Sequence, residues 1–195
     1  MRLFVALDID DNIRSRIALF LEGVRGFAPD ARWVRPESLH VTLKFIGEKS
    51  EEEAEKIKSA LETIVADSFE MNIRAYGFFP GARMARVFWV GIEAGANMAS
   101  LAATVDEKLA ALTIPREEHA FSPHLTLARG GGGSGSPRTQ KGDTPSRGFE
   151  RLQEKLAALP APEFGTMTTR EFFLFRSQLS PVGSRYTKLA EFKLH

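Results

Sequence analysis

Residues 37–45 read ESLHVTLKF and predict a half-buried β-strand, in which alternate side chains point to opposite faces. Val41 and Leu43 would share the buried face, while His40, Thr42 and Lys44 would share the other. A polar face on a single strand is more often solvent-exposed surface than a functional site. This stretch therefore predicts one strand of the fold. Evidence that its polar face is functional has to come from elsewhere in the chain.

A second copy of the pattern lies at residues 124–129, which read HLTLAR. Both copies run histidine, apolar, threonine, apolar, and a proline precedes each of them, at Pro36 and Pro123. One such motif carries little information, but two in a chain with four histidines indicate a weak internal duplication. The duplication predicts two related lobes, each of which contributes one motif.

Two symmetry-related imidazoles suit general acid–base catalysis. The unperturbed pKa of histidine, about 6.5, allows one ring to be neutral while its partner is protonated near neutral pH. Facing each other across a cleft, one ring would activate water and the other would protonate a leaving oxygen on the far side of a phosphorus atom. Each threonine hydroxyl lies two residues further along the same face and can donate a hydrogen bond to a phosphoryl oxygen. This chemistry needs no metal and no covalent intermediate.

The rest of the chain alternates between strand and helix patterns. Helices are predicted by apolar residues at helical spacing over 11–24, 50–68, 97–112 and 147–159, and strands over 2–9, 69–79, 86–93, 121–129, 169–180 and 184–194. The short turns within 69–92 and 170–194 indicate antiparallel pairs. The pattern predicts an α+β fold rather than a doubly wound parallel sheet.

Composition excludes several classes of protein. The chain of 195 residues is 43% hydrophobic with a net charge of +1, which argues against a protein that coats nucleic acid. Charge is uneven, because residues 1–128 carry −4 and residues 129–195 carry +5, so an anionic ligand near the C-terminal half is permitted. The absence of cysteine excludes disulfides, thiolate metal sites and cysteine nucleophiles. With no apolar run that resembles a signal peptide or a membrane span, we expect a cytoplasmic protein without membrane contact.

Residues 130–146 read GGGGSGSPRTQKGDTPS and are too rich in glycine and polar residues for regular structure. They are predicted to form a flexible loop, which is either a simple linker or a cationic flap that touches RNA through Arg138, Lys141 and the adjacent Arg147. The glycine run lacks the GxxxxGK[ST] spacing of a phosphate-binding P-loop.

Paired HxT motifs in a chain of this length resemble the 2H phosphoesterase superfamily. The segments RLFVALDID, WVRPESLHVTLKFIGE, FSPHLTLAR and SQLSPVGSRYTKL resemble its branch of RNA 2′,3′-cyclic phosphodiesterases, historically called 2′-5′ RNA ligases. The resemblance runs nearly end to end, apart from 130–146. It implies one bilobal α+β domain over 1–195, with two antiparallel sheets around a central cleft and helices outside. It further implies hydrolysis of 2′,3′-cyclic phosphate at RNA 3′ ends to 2′-phosphomonoesters without a cofactor or metal, with 2′-5′ ligation as a reverse reaction, by a protein expected to be monomeric.

Carried over by position, the resemblance makes His40 and His124 catalytic and Thr42 and Thr126 phosphate-binding. It favours His124 as the base for water and His40 as the acid for the ribose 3′ oxygen, an orientation that the residues alone leave open. Arg129 matches an arginine that ends the second motif in this branch. Strict alternation puts Arg129 on the face opposite His124, so a phosphate contact requires the strand to end or bulge there.

Several other residues could either contact the substrate or have only a structural role. Lys44 could touch phosphate from the His40 face or be a surface lysine. An aromatic ring could stack on a base or pack in the core, and for Phe45 the alternation favours the core. The candidate substrate contacts are Lys44, Trp33, Arg35, Phe121 and Tyr186. His119 and His195 lie outside the pattern and are expected to be idle.

Two rival functions remain at this stage. One keeps the two-histidine chemistry but acts on a small cyclic nucleotide or an ADP-ribose derivative. The other is an RNA- or nucleotide-binding domain that holds phosphate without turnover. Binding alone does not require two titratable rings, so the intact pair of motifs favours an enzyme.

Overall fold

The structure, a computed structural model, describes residues 1–130 and 147–195. These ranges contain nine strands and four α-helices. The strands are β1 (Arg2–Leu7), β2 (Arg32–Trp33), β3 (Val41–Glu48), β4 (Phe69–Phe79), β5 (Val87–Ala94), β6 (His124–Arg129), β7 (Glu163–Thr169), β8 (Glu171–Ser180) and β9 (Gly183–Lys193). The helices are α1 (Asp11–Val24), α2 (Glu51–Glu62), α3 (Ala96–Ala110) and α4 (Glu150–Ala157).

All nine strands join one sheet in the order β7-β4-β5-β6-β3-β1-β8-β9, with the short β2 paired to β6. Every pairing is antiparallel. The predicted α+β class is therefore confirmed. The two expected sheets are two halves of this one sheet, β3-β1-β8-β9 and β6-β5-β4-β7, which meet where β3 lies beside β6.

A single residue pair, Val41 with Leu125, joins β3 to β6. Each residue directly follows the histidine of its motif. Because the strands are antiparallel and equivalent positions are paired, the two halves are related by an approximate two-fold axis through this pair. This relation is the structural counterpart of the duplication in the sequence.

The helices cover one face of the sheet and share one hydrophobic core with it. In α1, Ile13, Ile17, Leu21 and Val24 recur at spacings of three and four residues and are all buried. Helix α2 begins with a capping box, in which the Ser50 hydroxyl accepts from the Glu53 N–H and the Glu53 carboxylate accepts from the Ser50 N–H. It ends at Glu62, six residues before the predicted end, and residues 63–68 form a turn and an irregular connection to β4.

The opposite face of the sheet, called the open face here, carries the motif side chains. On the first half it also holds a small separate cluster of Phe4, Ala6, Phe173 and Phe175, with Tyr186 packed against it. No helix in the described ranges is long and apolar enough to cross a membrane. The alternatives for the 130–146 loop fall on residues 131–146, outside the described part of the chain.

Candidate active site

The two motif histidines are held in the same way. The Nδ1–H of His40 donates to the carbonyl oxygen of Ser38 at 2.8 Å, and the Nδ1–H of His124 donates to the carbonyl oxygen of Ser122 at 2.7 Å. A carbonyl can only accept, so in the neutral ring the proton stays on Nδ1 and Nε2 carries the free lone pair. Each imidazole therefore keeps one nitrogen for orientation and one for chemistry.

The register places the four motif side chains together on the open face. Extended by one residue either way from the pair Val41–Leu125, it sets His40 opposite Thr126 and Thr42 opposite His124. Thr42 is exposed and Thr126 is half-buried, while Val41 and Leu125 are fully buried beneath them. The strand pair thus presents two imidazoles and two hydroxyls around the approximate two-fold axis.

A β-bulge follows the threonine in each motif. Ala6 pairs with Thr42 but Val5 pairs with Lys44, which leaves Leu43 as the extra residue in β3. In the same way Trp89 pairs with Thr126 and Phe88 with Ala128, so that the residue between them is the extra one in β6. Each bulge reverses the alternation for the residues that follow it, up to a second register shift between Phe45 and Gly47 in β3.

The bulge in β3 overturns the face expected for Lys44 and Phe45. Lys44 turns into the helix-covered side, where its side chain is 3% exposed and its Nζ donates to the Asp106 carboxylate at 2.6 Å and to the Pro115 carbonyl at 2.7 Å. Phe45 turns out to the open face with 48% of its surface exposed. The prediction that Lys44 shares the His40 face is wrong, and so is the prediction that Phe45 packs in the core.

A phosphate contact by Arg129 requires its strand to end or bulge, and β6 has such a bulge. It returns the exposed Arg129 to the face of Thr126, five residues after His124. The approximate symmetry relates this position to Phe45, five residues after His40. The open face therefore carries a guanidinium beside one motif and an aromatic ring beside the other.

Aromatic rings pack against both histidines. The Phe4 ring lies 4.7 Å from His40 and the Tyr186 ring meets it edge-on at 5.0 Å, as centroid distances. On the other half, the rings of Phe79 and Trp89 lie 5.0 and 6.3 Å from His124. These contacts leave the imidazoles little freedom to rotate and shield them from water.

The Trp89 indole lies against the neighbouring strand β4 because the residue paired with it there is a glycine. A Cβ built on Gly77 would be 2.1 Å from Cζ2 of the Trp89 indole. Any side chain at Gly77 would therefore displace the ring that stands beside His124. The sequence placed Trp89 and Phe79 on adjacent predicted strands. That placement did not indicate that their rings contact a histidine.

Burial and positive charge act on both rings. Burial lowers the pKa of His40; the Ser38 carbonyl and the charge of Asp8 oppose this shift, while Arg129 and His124 add to it. Burial also lowers the pKa of His124, with the Ser122 carbonyl opposing and Arg129 adding to the shift. Both pKa values therefore lie below that of a free imidazole, and Arg129 and His124 are close enough to His40 to influence its charge.

The remaining predicted contacts divide into two groups. Tyr186 reaches the site through its ring contact with His40, and Arg35 is exposed near the β8–β9 hairpin, where it donates to the Ser184 carbonyl at 3.4 Å. Trp33 lies on the helix-covered side, with its ring edge-on to the buried Phe88 and its Nε1–H bonded to the Ala28 carbonyl. Phe121 also packs against the main core. The structure thus contradicts a substrate contact for Trp33 and gives Phe121 a packing role.

In the described residues, no group of three or more histidine, aspartate or glutamate side chains is arranged to hold a metal ion.

Comparison with known families gives a match over most of the chain. The family model described as LigT like Phosphoesterase matches residues 7–89 and 90–186. Each of these two segments contains one HxT motif, at residues 40–42 and 124–126.

Three similar proteins cover nearly the whole chain. The protein from Methanothermobacter thermautotrophicus called RNA 2′,3′-cyclic phosphodiesterase is 31% identical over 196 residues, which span 100% of this chain and 99% of that protein. Its namesake from Archaeoglobus fulgidus is 32% identical, over 99% of this chain and 100% of that protein. The crystal structure of E. coli LigT complexed with 3′-AMP superposes with a TM-score of 0.76 at 25% identity, covering 99% of this chain and 97% of that one.

Proposed function

The chain belongs to the LigT like phosphoesterase family, as its 2H resemblance indicated, and from this membership we propose that it is an RNA 2′,3′-cyclic phosphodiesterase. Its substrate is an RNA 3′ end that carries a 2′,3′-cyclic phosphate, and its product is the 2′-phosphomonoester. The names of the two archaeal relatives, which align over their full lengths, support this substrate.

The reaction follows from the placement of the four motif side chains. The Nε2 of His124 takes a proton from water, the water oxygen attacks phosphorus, and the bond between phosphorus and the ribose 3′ oxygen breaks. The Nε2–H of His40 gives its proton to that oxygen. Hydroxyl groups of Thr42 and Thr126 donate to the non-bridging oxygens as negative charge builds on them, and Arg129 balances that charge.

The observation that carries the proposal is the equal tethering of His40 and His124 on opposite sides of an approximate two-fold axis. An in-line displacement needs a base and an acid on opposite sides of the phosphorus, and two related imidazoles with free Nε2 atoms meet that need. Binding of the anionic phosphate favours the protonated ring and so offsets the lowered pKa of the acid. A ribose hydroxyl in place of water would form a 2′-5′ link by the same steps.

The test uses a short RNA that ends in a 2′,3′-cyclic phosphate, with the phosphomonoester isomer identified after incubation. We expect the 2′-phosphate from the unaltered protein and its loss in His124→Ala. His119→Ala is the matched control, since His119 is exposed and outside the motifs. Binding of the RNA without turnover, or release of the 3′-phosphate, would overturn the proposal.

A second candidate keeps the same chemistry with a smaller substrate. The similar E. coli LigT was crystallised with 3′-AMP, which supports a cleft that accepts a single nucleotide. Parallel assays with small cyclic nucleotides and an ADP-ribose derivative that carries a cyclic phosphate decide between the two substrates. A kcat/KM for the RNA end that is well above the kcat/KM values for these small substrates favours RNA as the substrate.

We also propose that residues 1–195 act as one bilobal unit and as a cytoplasmic monomer. The continuous sheet supports the single unit, because β1, β3, β8 and β9 of one half come from both ends of the chain. Light scattering in solution tests the monomer against the chain mass of 21.6 kDa.

A further inference from the structure

The approximate two-fold axis relates the two histidines but not their neighbours across the strand. The β1–β3 register pairs Leu7 with Val41, so the next residues, Asp8 and His40, are opposite one another and on the same face. In the other half, the residue paired with His124 is Gly91. Asp8 and Gly91 are thus equivalent positions, and only the first carries a charge.

The Asp8 carboxylate is fixed in place. Its Oδ1 accepts from the backbone N–H of Ile9 at 2.9 Å and from the Arg14 guanidinium at 2.5 Å, and its Oδ2 accepts from Lys188 Nζ at 2.5 Å. Burial alone would raise the pKa of Asp8, but hydrogen bonds from Lys188 and Ile9 and the two cations lower it below its ordinary value. Asp8 is therefore an anion throughout the range in which a histidine titrates.

Arg14 links this carboxylate to the segment that leads into the first motif. Its Nη1 donates to the Pro36 carbonyl at 2.6 Å, and its Nη2 also reaches the Ile9 carbonyl at 3.2 Å. The charged network therefore ties the end of β1 to the turn that precedes His40. Among residues 1–130 and 147–195, no equivalent network surrounds Gly91, where an added Cβ would meet the Arg74 carbonyl and the Trp89 ring.

The groups that face His40 can be named element by element. Asp8, directly after β1, favours its protonated form, while Arg129 and His124, both on β6, oppose it. Tyr186 on β9 touches the ring. Lys188 on β9 and Arg14 on α1 reach His40 through their contacts with Asp8. Within the described part of the chain, the pKa of His124 is shifted by burial, the Ser122 carbonyl and Arg129, and by no carboxylate.

We propose that Asp8 is a positioning residue that makes His40, rather than His124, the proton donor of the reaction. The inference rests on the proposed function and adds to it the physical cause that separates two otherwise equivalent rings. An anion opposite His40 stabilises its imidazolium. His124 faces Gly91 and an arginine and so stays neutral, ready to accept the proton of water. The proton given to the ribose 3′ oxygen comes from His40 Nε2, and the one removed from water goes to His124 Nε2.

Asp8→Asn tests this role because it keeps the size and hydrogen-bonding capacity of the side chain but removes its charge. The first measurement is an NMR titration of the His40 and His124 ring signals in the free protein, which needs no substrate. We expect the midpoint of His40 to move to lower pH in Asp8→Asn, the midpoint of His124 to move less, and Asp8→Glu to restore the His40 value.

The second measurement is the pH profile of kcat/KM for cyclic-phosphate hydrolysis. We expect the optimum of Asp8→Asn to move to lower pH, with a loss of about 5- to 10-fold at pH 8, since only the protonated acid is active. Glu171→Gln is the matched control: it removes a carboxylate that pairs with Lys193 at 2.6 Å, in another ion pair of the sheet, and should leave the profile unchanged.

The two measurements separate the possible failures. If the protein does not hydrolyse the RNA end, the proposed function fails, while the His40 titration still reports on Asp8. If hydrolysis proceeds and the His40 midpoint in folded Asp8→Asn equals that of the unaltered protein, Asp8 has no such role and the inference is overturned. A midpoint of His124 that moves as far as that of His40 would overturn it too.

Discussion

Val41 and Leu125 form the main-chain pair that joins the two halves of the sheet, and each directly follows a motif histidine. Because equivalent residues of antiparallel strands are paired, the two imidazoles lie on either side of an approximate two-fold axis. An in-line displacement at phosphorus has the same symmetry, with one oxygen arriving as another leaves. The pairing of β3 and β6 thus builds the geometry that the chemistry requires.

Removal of either imidazole should remove most of the activity. We expect His40→Ala and His124→Ala each to reduce kcat for cyclic-phosphate hydrolysis by about 100-fold or more, because each ring transfers a proton in the transition state. Circular dichroism would check that both variants remain folded. Full activity in either variant would exclude the two-histidine mechanism.

The threonine hydroxyls should act mainly on the rate. Thr42→Val and Thr126→Val keep the side-chain shape but remove a donor to the phosphoryl oxygens, and we expect each to lower kcat by about 10- to 100-fold. Thr104→Val on α3, which removes a hydroxyl bonded to the Ser100 carbonyl, is the matched control. A change in KM alone would mean that the hydroxyls bind substrate without stabilising the transition state.

The two half-buried motif histidines should make the fold sensitive to mild acid. The pKa values of His40 and His124 are lowered from 6.5, mainly by burial, so the folded state binds fewer protons than the unfolded chain. Their contribution to the free energy of unfolding is then complete above pH 6.5 and is lost as the pH falls through the folded pKa values. The double variant His40→Asn/His124→Asn keeps a donor near the position of Nδ1–H but does not titrate.

Urea unfolding at pH 7.5 and 5.5 measures this effect. We expect the unaltered protein to lose more stability between the two pH values than the double variant does. Equal losses would show that neither ring is held neutral by the fold.

Lys44 should matter for stability and not for catalysis. Its ammonium lies on the helix-covered side and is held by Asp106 and the Pro115 carbonyl. We expect Lys44→Met to lower the free energy of unfolding by about 1–3 kcal/mol, because the half-buried Asp106 carboxylate and the Pro115 carbonyl lose their donor. Lys56→Met, which breaks an exposed pair on α2, should leave stability unchanged. A large fall in kcat of folded Lys44→Met would instead place this lysine in the reaction.

The proposed mechanism uses only side chains of the protein. We therefore expect dialysis against EDTA to leave the rate of cyclic-phosphate hydrolysis unchanged. A loss of activity that is restored by a divalent cation would contradict this prediction.

Much of the site could be predicted from short-range patterns. Alternation along a strand put each histidine and its threonine on one face, and the structure has them there. Strand β4 has the predicted bounds, 69–79, because alternating apolar residues and a proline-containing turn define it locally. The recurrence of the motif was sufficient to expect two related halves.

Other features were beyond prediction because they depend on strands that are distant in the chain. Alternation carried through residue 45 gave Lys44 and Phe45 the wrong faces, since the bulge at Leu43 arises from the register with β1. Trp33 looked free to contact substrate until its pairing beside β6 placed it against Phe88. The importance of Asp8 depends on its position opposite His40, which no local pattern contains.

By itself, the sequence determined which residues are predicted to carry the chemistry, because residue type and the two-residue period of a strand are local properties of the chain. The tertiary structure alone decided where each of those side chains points after the bulges, which rings enclose the histidines, and that one histidine faces a carboxylate while the other faces a glycine. These features are set by hydrogen-bond register between strands brought together from both ends of the chain. Register is the result of the whole packing, so two motifs that are nearly identical as sequence become two different environments once folded.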